Sequence, residues 1–269
     1  MGLERWREPL AALLWGVLPA LIAATGMSPL LQATAVVNAL LALLWLWTRV
    51  RDIPVFAQDE TLKPGAWLGA AFSARIALYY VAAVSIGALP TVLAGCALPL
   101  LARAGAARAA RRAGLAGLAL LAAVGAWGGA LDHPLALGLA LAAGAAWVIE
   151  ERVARAAALA RCGAERFVFY RLIGGAVTLP VASVVAGENW LQRPGAHAWS
   201  LLVLQIALAL FALLLRWGLH RRDRIGLRAS LAPPVALTLA VASHGWPGAL
   251  PVAAALLLAF GAAIAFGNA

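Results

Sequence analysis

Arg75 has the most chemistry to offer in this sequence. It is the tenth residue of an apolar stretch at 66–84, about 15 Å from its start at ~1.5 Å of helical rise per residue. A guanidinium at that depth in a membrane costs from ~2.5 to more than 10 kcal/mol unless it faces water or a partner. Two readings are open. Arg75 binds a carboxylate or other anion of a small molecule, or it forms a structural ion pair with Glu150. Tyr79 follows Arg75 by four positions and shares its helical face. Trp15 and Trp147, with Tyr80 and Tyr170, add aromatic faces able to stack on an aromatic or cationic ligand, or to line lipid instead. Asn38, Ser73 and Gln205 are polar groups that could meet a ligand or bond a neighbouring helix.

Other positions suit gating or coupling. Glu151 matches Arg155 at i,i+4 as an ordinary helical ion pair. Glu150 points elsewhere and is a candidate for a gate or a proton site. Arg171 stands close enough to the end of its stretch to snorkel to the interface. Pro99 and Pro234 interrupt apolar stretches, and such kinks persist in membranes where neighbours or water satisfy the freed backbone. No Asp lies within an apolar stretch, so facilitated diffusion or exchange is expected before proton coupling. The two cysteines, Cys96 and Cys162, have no metal-ligand spacing, and the four histidines are scattered. No metal or cofactor is implied. Gly125 and Gly129 make a G-x-x-x-G pair suited to close helix packing or to a dimer face.

These side chains need a frame, and composition names it. Of 269 residues, 64% are hydrophobic and only 12% charged, whereas soluble domains run at roughly 45–50% apolar and about 25% charged. The excess must face lipid. Ten stretches are long enough to cross: 9–26, 29–48, 66–84, 86–102, 113–131, 134–151, 167–186, 198–217, 226–243 and 249–267. Ser85, Gly87 and Pro90 mark the break between the third and fourth. The N-terminal segment carries Glu4 and Glu8 beside Arg5 and Arg7, and is expected to be a retained first helix.

The net charge of +10 would suggest nucleic acid in a soluble protein. Its placement says otherwise. With the N-terminus in the cytoplasm and ten alternating helices, the inside segments hold 18 of the 21 basic residues and the outside loops hold one, Arg193. Arg75 and Arg171 are the remaining two. This is the positive-inside asymmetry, and it expects both termini in the cytoplasm of a bacterial-type inner membrane with no nucleic-acid partner. The chain also repeats itself. Ala66-Trp67 is echoed by Ala198-Trp199, and Pro99 follows Trp67 by 32 residues as Pro233 follows Trp199 by 34. Residues 1–131 and 132–269 thus read as two five-helix units. Five is odd, so the second unit enters from the opposite side, as in the inverted repeats of secondary transporters. The expected fold is an all-α membrane protein of ten transmembrane helices, two inverted five-helix repeats around a central cavity.

Trp15-Gly16, the run LAGCALPLLARAG around Pro99, GLAGLALLAAVGAW at 114–127, GLALAAGAAWVIEERVAR at 138–155 and LAPPVALTLA followed by GALPVAAALLLAFGAAIAF resemble, in order and spacing, the EamA-type ten-helix branch of the drug/metabolite transporter superfamily. The resemblance covers nearly the whole chain. Two departures stand out: no acidic residue follows the fourth and ninth stretches, and the second offers Gln32 and Asn38 where the family often has an Arg. The resemblance implies a secondary transporter, an exporter or facilitator of a small metabolite such as an amino acid or an aromatic or amphipathic compound, working by alternating access. Arg75, Tyr79, Trp15, Asn38, Trp147 and Gln205 would line its cavity, with Glu150, Arg171, Pro99 and Pro234 as gating or coupling candidates. It would act in the bilayer as a monomer or homodimer. The rivals are an intramembrane lipid-modifying enzyme, which needs clustered His, Asp, Glu or Ser that the chain lacks, and a membrane scaffold that transports nothing. No P-loop is present for nucleotide hydrolysis.

Overall fold

A computed structural model describes residues 4–55, 59–102, 131–156, 161–191, 193–215 and 225–244, with isolated positions between 114 and 124 and residue 159. The described residues form eight helices and no strand: α1 (Glu4–Ala24), α2 (Pro29–Val50), α3 (Leu62–Ile86), α4 (Ala88–Leu101), α5 (Pro134–Ala154), α6 (Ala164–Val185), α7 (Ala196–Leu215) and α8 (Ile225–His244). They match eight of the apolar stretches. The stretch at 249–267 lies outside the described residues, as do most of 113–131 and both Gly125 and Gly129. Five helices, α2, α3, α5, α6 and α7, are long and apolar enough to cross a membrane. Val177, Val181, Val203 and Phe211 are more than half exposed on the outside of the bundle. Such a surface suits hydrocarbon rather than water, and the protein is membrane-embedded.

Local sequence sets the helix limits. Pro29 and Pro134 sit in the first turns of α2 and α5, where the missing N–H is no loss. Gly87 separates α3 from α4 with φ at +81°, a left-handed backbone open to glycine at little cost. The expected break at Ser85, Gly87 and Pro90 falls there.

Helix packing is dominated by contacts between the early and late helices. α3 packs on α5 and α6, α1 on α7 and α8, α2 on α6, and α4 on α5 and α8. Glycines make the closest of these crossings. A Cβ on Gly174 of α6 would fall 2.5 Å from the Gly69 backbone of α3, one on Gly144 of α5 would lie 2.6 Å from the Gly95 carbonyl oxygen of α4, and one on Gly16 of α1 would lie 2.7 Å from the Ala232 carbonyl oxygen of α8. In lipid no hydrophobic force drives apolar helices together, so close backbone approach supplies the dispersion contact instead.

Polar groups tie the two ends of the bundle. At one end Arg7 Nε donates to the Leu215 carbonyl at 2.8 Å, satisfying the last turn of α7. Elsewhere Asp59 accepts from Arg166 Nη1 at 2.8 Å, and Thr61 Oγ1 lies 2.7 Å from the Tyr170 hydroxyl. Hydrogen bonds from Thr61, then the Arg166 charge, hold the Asp59 carboxyl below its usual range. The contact therefore persists above that range and weakens as the pH falls through the lowered value. At the other end Glu188, in the α6–α7 turn, accepts from the backbone N–H of Leu30 at 2.9 Å and of Leu31 at 2.6 Å, and from Ser183 Oγ at 2.7 Å. Ser28, the N-cap residue of α2, makes no side-chain cap bond. A carboxylate from another segment fills that role, where the helix dipole favours negative charge.

The crossings yield a paired prediction. Gly174→Leu, forced against Gly69, is expected to lower stability by ~1–3 kcal/mol or more. Gly138→Leu, with no atom within 4 Å of its Cβ position, is expected to leave stability unchanged. Thermal unfolding of the two variants in detergent, followed by tryptophan fluorescence, makes the comparison.

Candidate functional site

Helical spacing assembles the site from three local pairs. Phe72 and Arg75 on α3 stand at i,i+3, Trp147 and Glu150 on α5 at i,i+3, and Phe167 and Arg171 on α6 at i,i+4, so each charged group shares a helix face with an aromatic ring. Packing of α3 against both α5 and α6 then brings the three charges together. Arg75 Nε donates to Glu150 Oε2 at 2.6 Å, and Arg171 Nη2 donates to Glu150 Oε1 at 2.8 Å. The Glu150 side chain is only 1% exposed. Each carboxylate oxygen thus has its own guanidinium, the arrangement that a buried charge requires.

Aromatic rings complete the surroundings. The Arg75 guanidinium carbon lies 5.0 Å from the centre of the Trp15 ring, 5.4 Å from Phe72 and 5.8 Å from Trp147. Arg171 lies 4.7 Å from Phe167. Away from water, such cation–π contacts contribute up to ~2 kcal/mol each. Arg171 does not snorkel to the interface, as its distance from a helix end would allow, but pairs with Glu150 inside the bundle. The Arg75–Glu150 ion pair, one of the two readings open for Arg75, is present.

A cavity of about 90 Å³ opens beside these groups. Trp15 and Leu18 of α1, Val36, Val37 and Leu40 of α2, Phe72, Arg75, Ile76 and Tyr80 of α3, Ala164, Phe167, Val168, Arg171 and Leu172 of α6, and Ala209, Ala212 and Leu213 of α7 supply its wall. It reaches from Arg75, deep in α3, to Ala164, the first residue of α6. That is the end of the bundle where Asp59 meets Arg166. Arg75 and Arg171 are the charged groups among its described lining residues, and Glu150 stands behind them.

The other residues singled out in the sequence are spread more widely. Trp15 lines the cavity, and Trp147 packs on Arg75 from α5. The ridge that α3 turns to the cavity is Phe72–Ile76–Tyr80, at successive i,i+4 steps, so Tyr80 takes the position expected for Tyr79. Tyr79 lies on the α4 side, where a side chain on Gly95 would meet its ring at 3.6 Å. Asn38 is exposed and donates to the Thr34 carbonyl of its own helix at 3.0 Å. Gln205 is fully buried, and its Nε2 donates to Thr25 Oγ1 at 2.7 Å and to the Leu21 carbonyl at 3.2 Å, pinning α7 to α1. Ser73 bonds the Ala70 carbonyl. Pro99 is buried within α4, and Pro234 lies within α8, where its carbonyl accepts from Thr238. Cys96 and Cys162 are buried and not joined in a disulfide, and Cys162 Sγ donates to the Leu159 carbonyl at 3.1 Å. Among the described residues no three His, Cys, Asp or Glu side chains gather where a metal ion could sit.

No protein-family model matches the sequence, and no curated relative matches it. Several chains of solved structures are similar; one of them, a crystal structure, matches over 99% of this chain and 98% of its own, with a TM-score of 0.71 at 19% sequence identity. At that identity the likeness concerns the fold alone.

Removing the shared carboxylate tests the cluster. Glu150→Gln is expected to cost ~3–5 kcal/mol of stability, because two guanidinium groups then lose their counter-charge. Adding Arg171→Gln to that variant is expected to return part of the loss. A double-mutant cycle on unfolding midpoints measures the coupling, and simple additivity would mean that the two groups do not depend on each other.

Proposed function

We propose that this protein is a secondary transporter, an exporter or facilitator that carries a small metabolite by alternating access, in the manner of the EamA-type transporters it resembles in sequence. The observation that carries the reading is the cavity. It lies between helices of the early and late parts of the chain, reaches one end of the bundle, and has a buried Arg–Glu–Arg cluster in its wall. A charged group at such depth is a functional-site candidate by default. A cavity between halves of a helical bundle is where transporters hold their cargo.

The helix packing supports an inverted repeat. If α1 to α4 correspond in order to α5 to α8, a twofold operation exchanges the pairs. The α3–α5 contact becomes α7–α1, α3–α6 becomes α7–α2, and α1–α8 becomes α5–α4, while α2–α6 and α4–α8 map onto themselves. Each of these contacts is present. The glycine crossings obey the same rule, since Gly16 on Ala232 is exchanged with Gly144 on Gly95. On this reading the chain has ten spans, each half contributing five. The basic end, with Arg7, Arg49, Arg166 and their loops, faces the cytoplasm of a bacterial inner membrane. The cavity then opens inward, and Glu188 secures the outer end. Substrate would meet Arg75, Trp15 and Tyr80.

Two experiments test this. In proteoliposomes, Arg75→Ala is expected to lower flux at least about tenfold, the scale of one charge-assisted hydrogen bond, while Asn38→Ala on the outer face of α2 leaves it unchanged. Equal flux through Arg75→Ala and the unaltered protein for every solute tried would remove Arg75 from the binding site. A tag in the loop carrying Arg111 is expected to be protected from an impermeant reagent in intact cells; labelling from outside would overturn the ten-span orientation.

A further inference from the structure

We infer that the cavity beside Arg75 selects a compact apolar monocarboxylate, and that it discriminates against zwitterionic amino acids and amines of the same size. This deepens the proposed function and rests on reading that cavity as the substrate site.

The selection follows from what each charged group has left to offer. A guanidinium carries five N–H donors, and Arg75 uses Nε alone on Glu150. Among the described residues no acceptor meets its Nη groups, although Arg75 lines the cavity. Trp15, Phe72 and Trp147 hold the guanidinium in place, and the Nη end is left to meet a ligand. Two parallel N–H groups on one edge match the two oxygens of a carboxylate. The rest of the wall is made largely of Val, Leu, Ile and Phe side chains, suited to an apolar body.

An ammonium finds no such reception. The described lining residues include no carboxylate, and Glu150, the nearest acid in the cluster, is 1% exposed with each oxygen already held by an arginine. A zwitterion entering the cavity would lose hydration at its ammonium without gaining a partner, which is costly in an apolar enclosure. Two guanidinium groups in the same wall add repulsion. The site can therefore reward the carboxylate of an amino acid but not its amine.

Isothermal titration of the purified protein in detergent with benzoate, benzyl alcohol, benzylamine and phenylalanine, and with 3-phenylpropionate as the carboxylate matched to phenylalanine in size, reads this order directly, because all share one ring and differ in charge. Benzoate is expected to bind at least about tenfold more tightly than benzyl alcohol, and 3-phenylpropionate than phenylalanine, with benzylamine weaker than benzyl alcohol, in line with one charge-assisted hydrogen-bond pair. Arg75→Gln is expected to shrink the preference for benzoate over benzyl alcohol to less than about threefold. The ligand series on the unaltered protein decides the question even if that variant does not fold. Phenylalanine binding as tightly as 3-phenylpropionate, benzylamine binding as tightly as benzoate, or no benzoate binding at millimolar concentration, overturns the inference. Proteoliposome flux separates it from the reading beneath it. Benzoate that binds but never crosses removes the transport role and leaves the anion site, whereas phenylalanine that crosses while benzoate neither binds nor competes leaves transport and removes the anion site.

Discussion

Glu150 carries a charge that the bundle must neutralise before it can hold together. Its two oxygens each accept from a different arginine, and those arginines come from different helices, α3 and α6, while the carboxylate comes from α5. In hydrocarbon none of the three can be left alone. The cluster therefore fixes how the helices stand to one another, and it does so at the edge of the cavity. The two arginines that neutralise Glu150 also line the cavity. The aromatic rings of Trp15, Phe72 and Trp147 surround the Arg75 guanidinium beside the cavity.

Elsewhere the bundle relies on smallness rather than charge. Gly69 against Gly174, Gly144 against Gly95 and Gly16 against Ala232 bring backbones together where no side chain fits. Polar ties then finish the ends: Arg7 at the last turn of α7, Asp59 with Arg166, and Glu188 on the first turn of α2. Between these anchors the outward faces carry valine, leucine and phenylalanine, which need only match lipid.

Much of the frame could be read from the sequence because a membrane simplifies the code. Apolar length marks a helix, and the break at Gly87 shows as a cluster of small and ring-constrained residues. Depth makes a lone charge at Arg75 untenable, which left its partnership with Glu150 as one of two open readings; the packing of α5 on α3 supplies it. Arg171 misled because its distance from a helix end allowed snorkelling, and only the packing of α6 on α3 shows a carboxylate within reach. Periodicity joined Tyr79 to Arg75, yet it could not say which side of Arg75 the cavity occupies; the ridge through Phe72, Ile76 and Tyr80 settles that in tertiary structure. Asn38 and Gln205 looked alike as polar residues in apolar stretches, but one turns outward and the other crosses to α1. The cap that Glu188 places on α2 joins residues 157 and 158 positions apart, and no local signal could announce it.

The crossing of α3 and α6 has a mechanical consequence. With the main chains of Gly69 and Gly174 touching, these helices cannot move nearer, and pulling them apart would open a void that lipid tails fill poorly. A change of tilt can keep the two main chains in contact, within the range allowed by the Tyr170 ring seated on Gly65 one turn away. The crossing is therefore a fulcrum. Arg75 lies six residues beyond Gly69 and Arg171 three residues before Gly174, so a change of angle at the glycines would alter the spacing of the two arginines and of whatever stands between them.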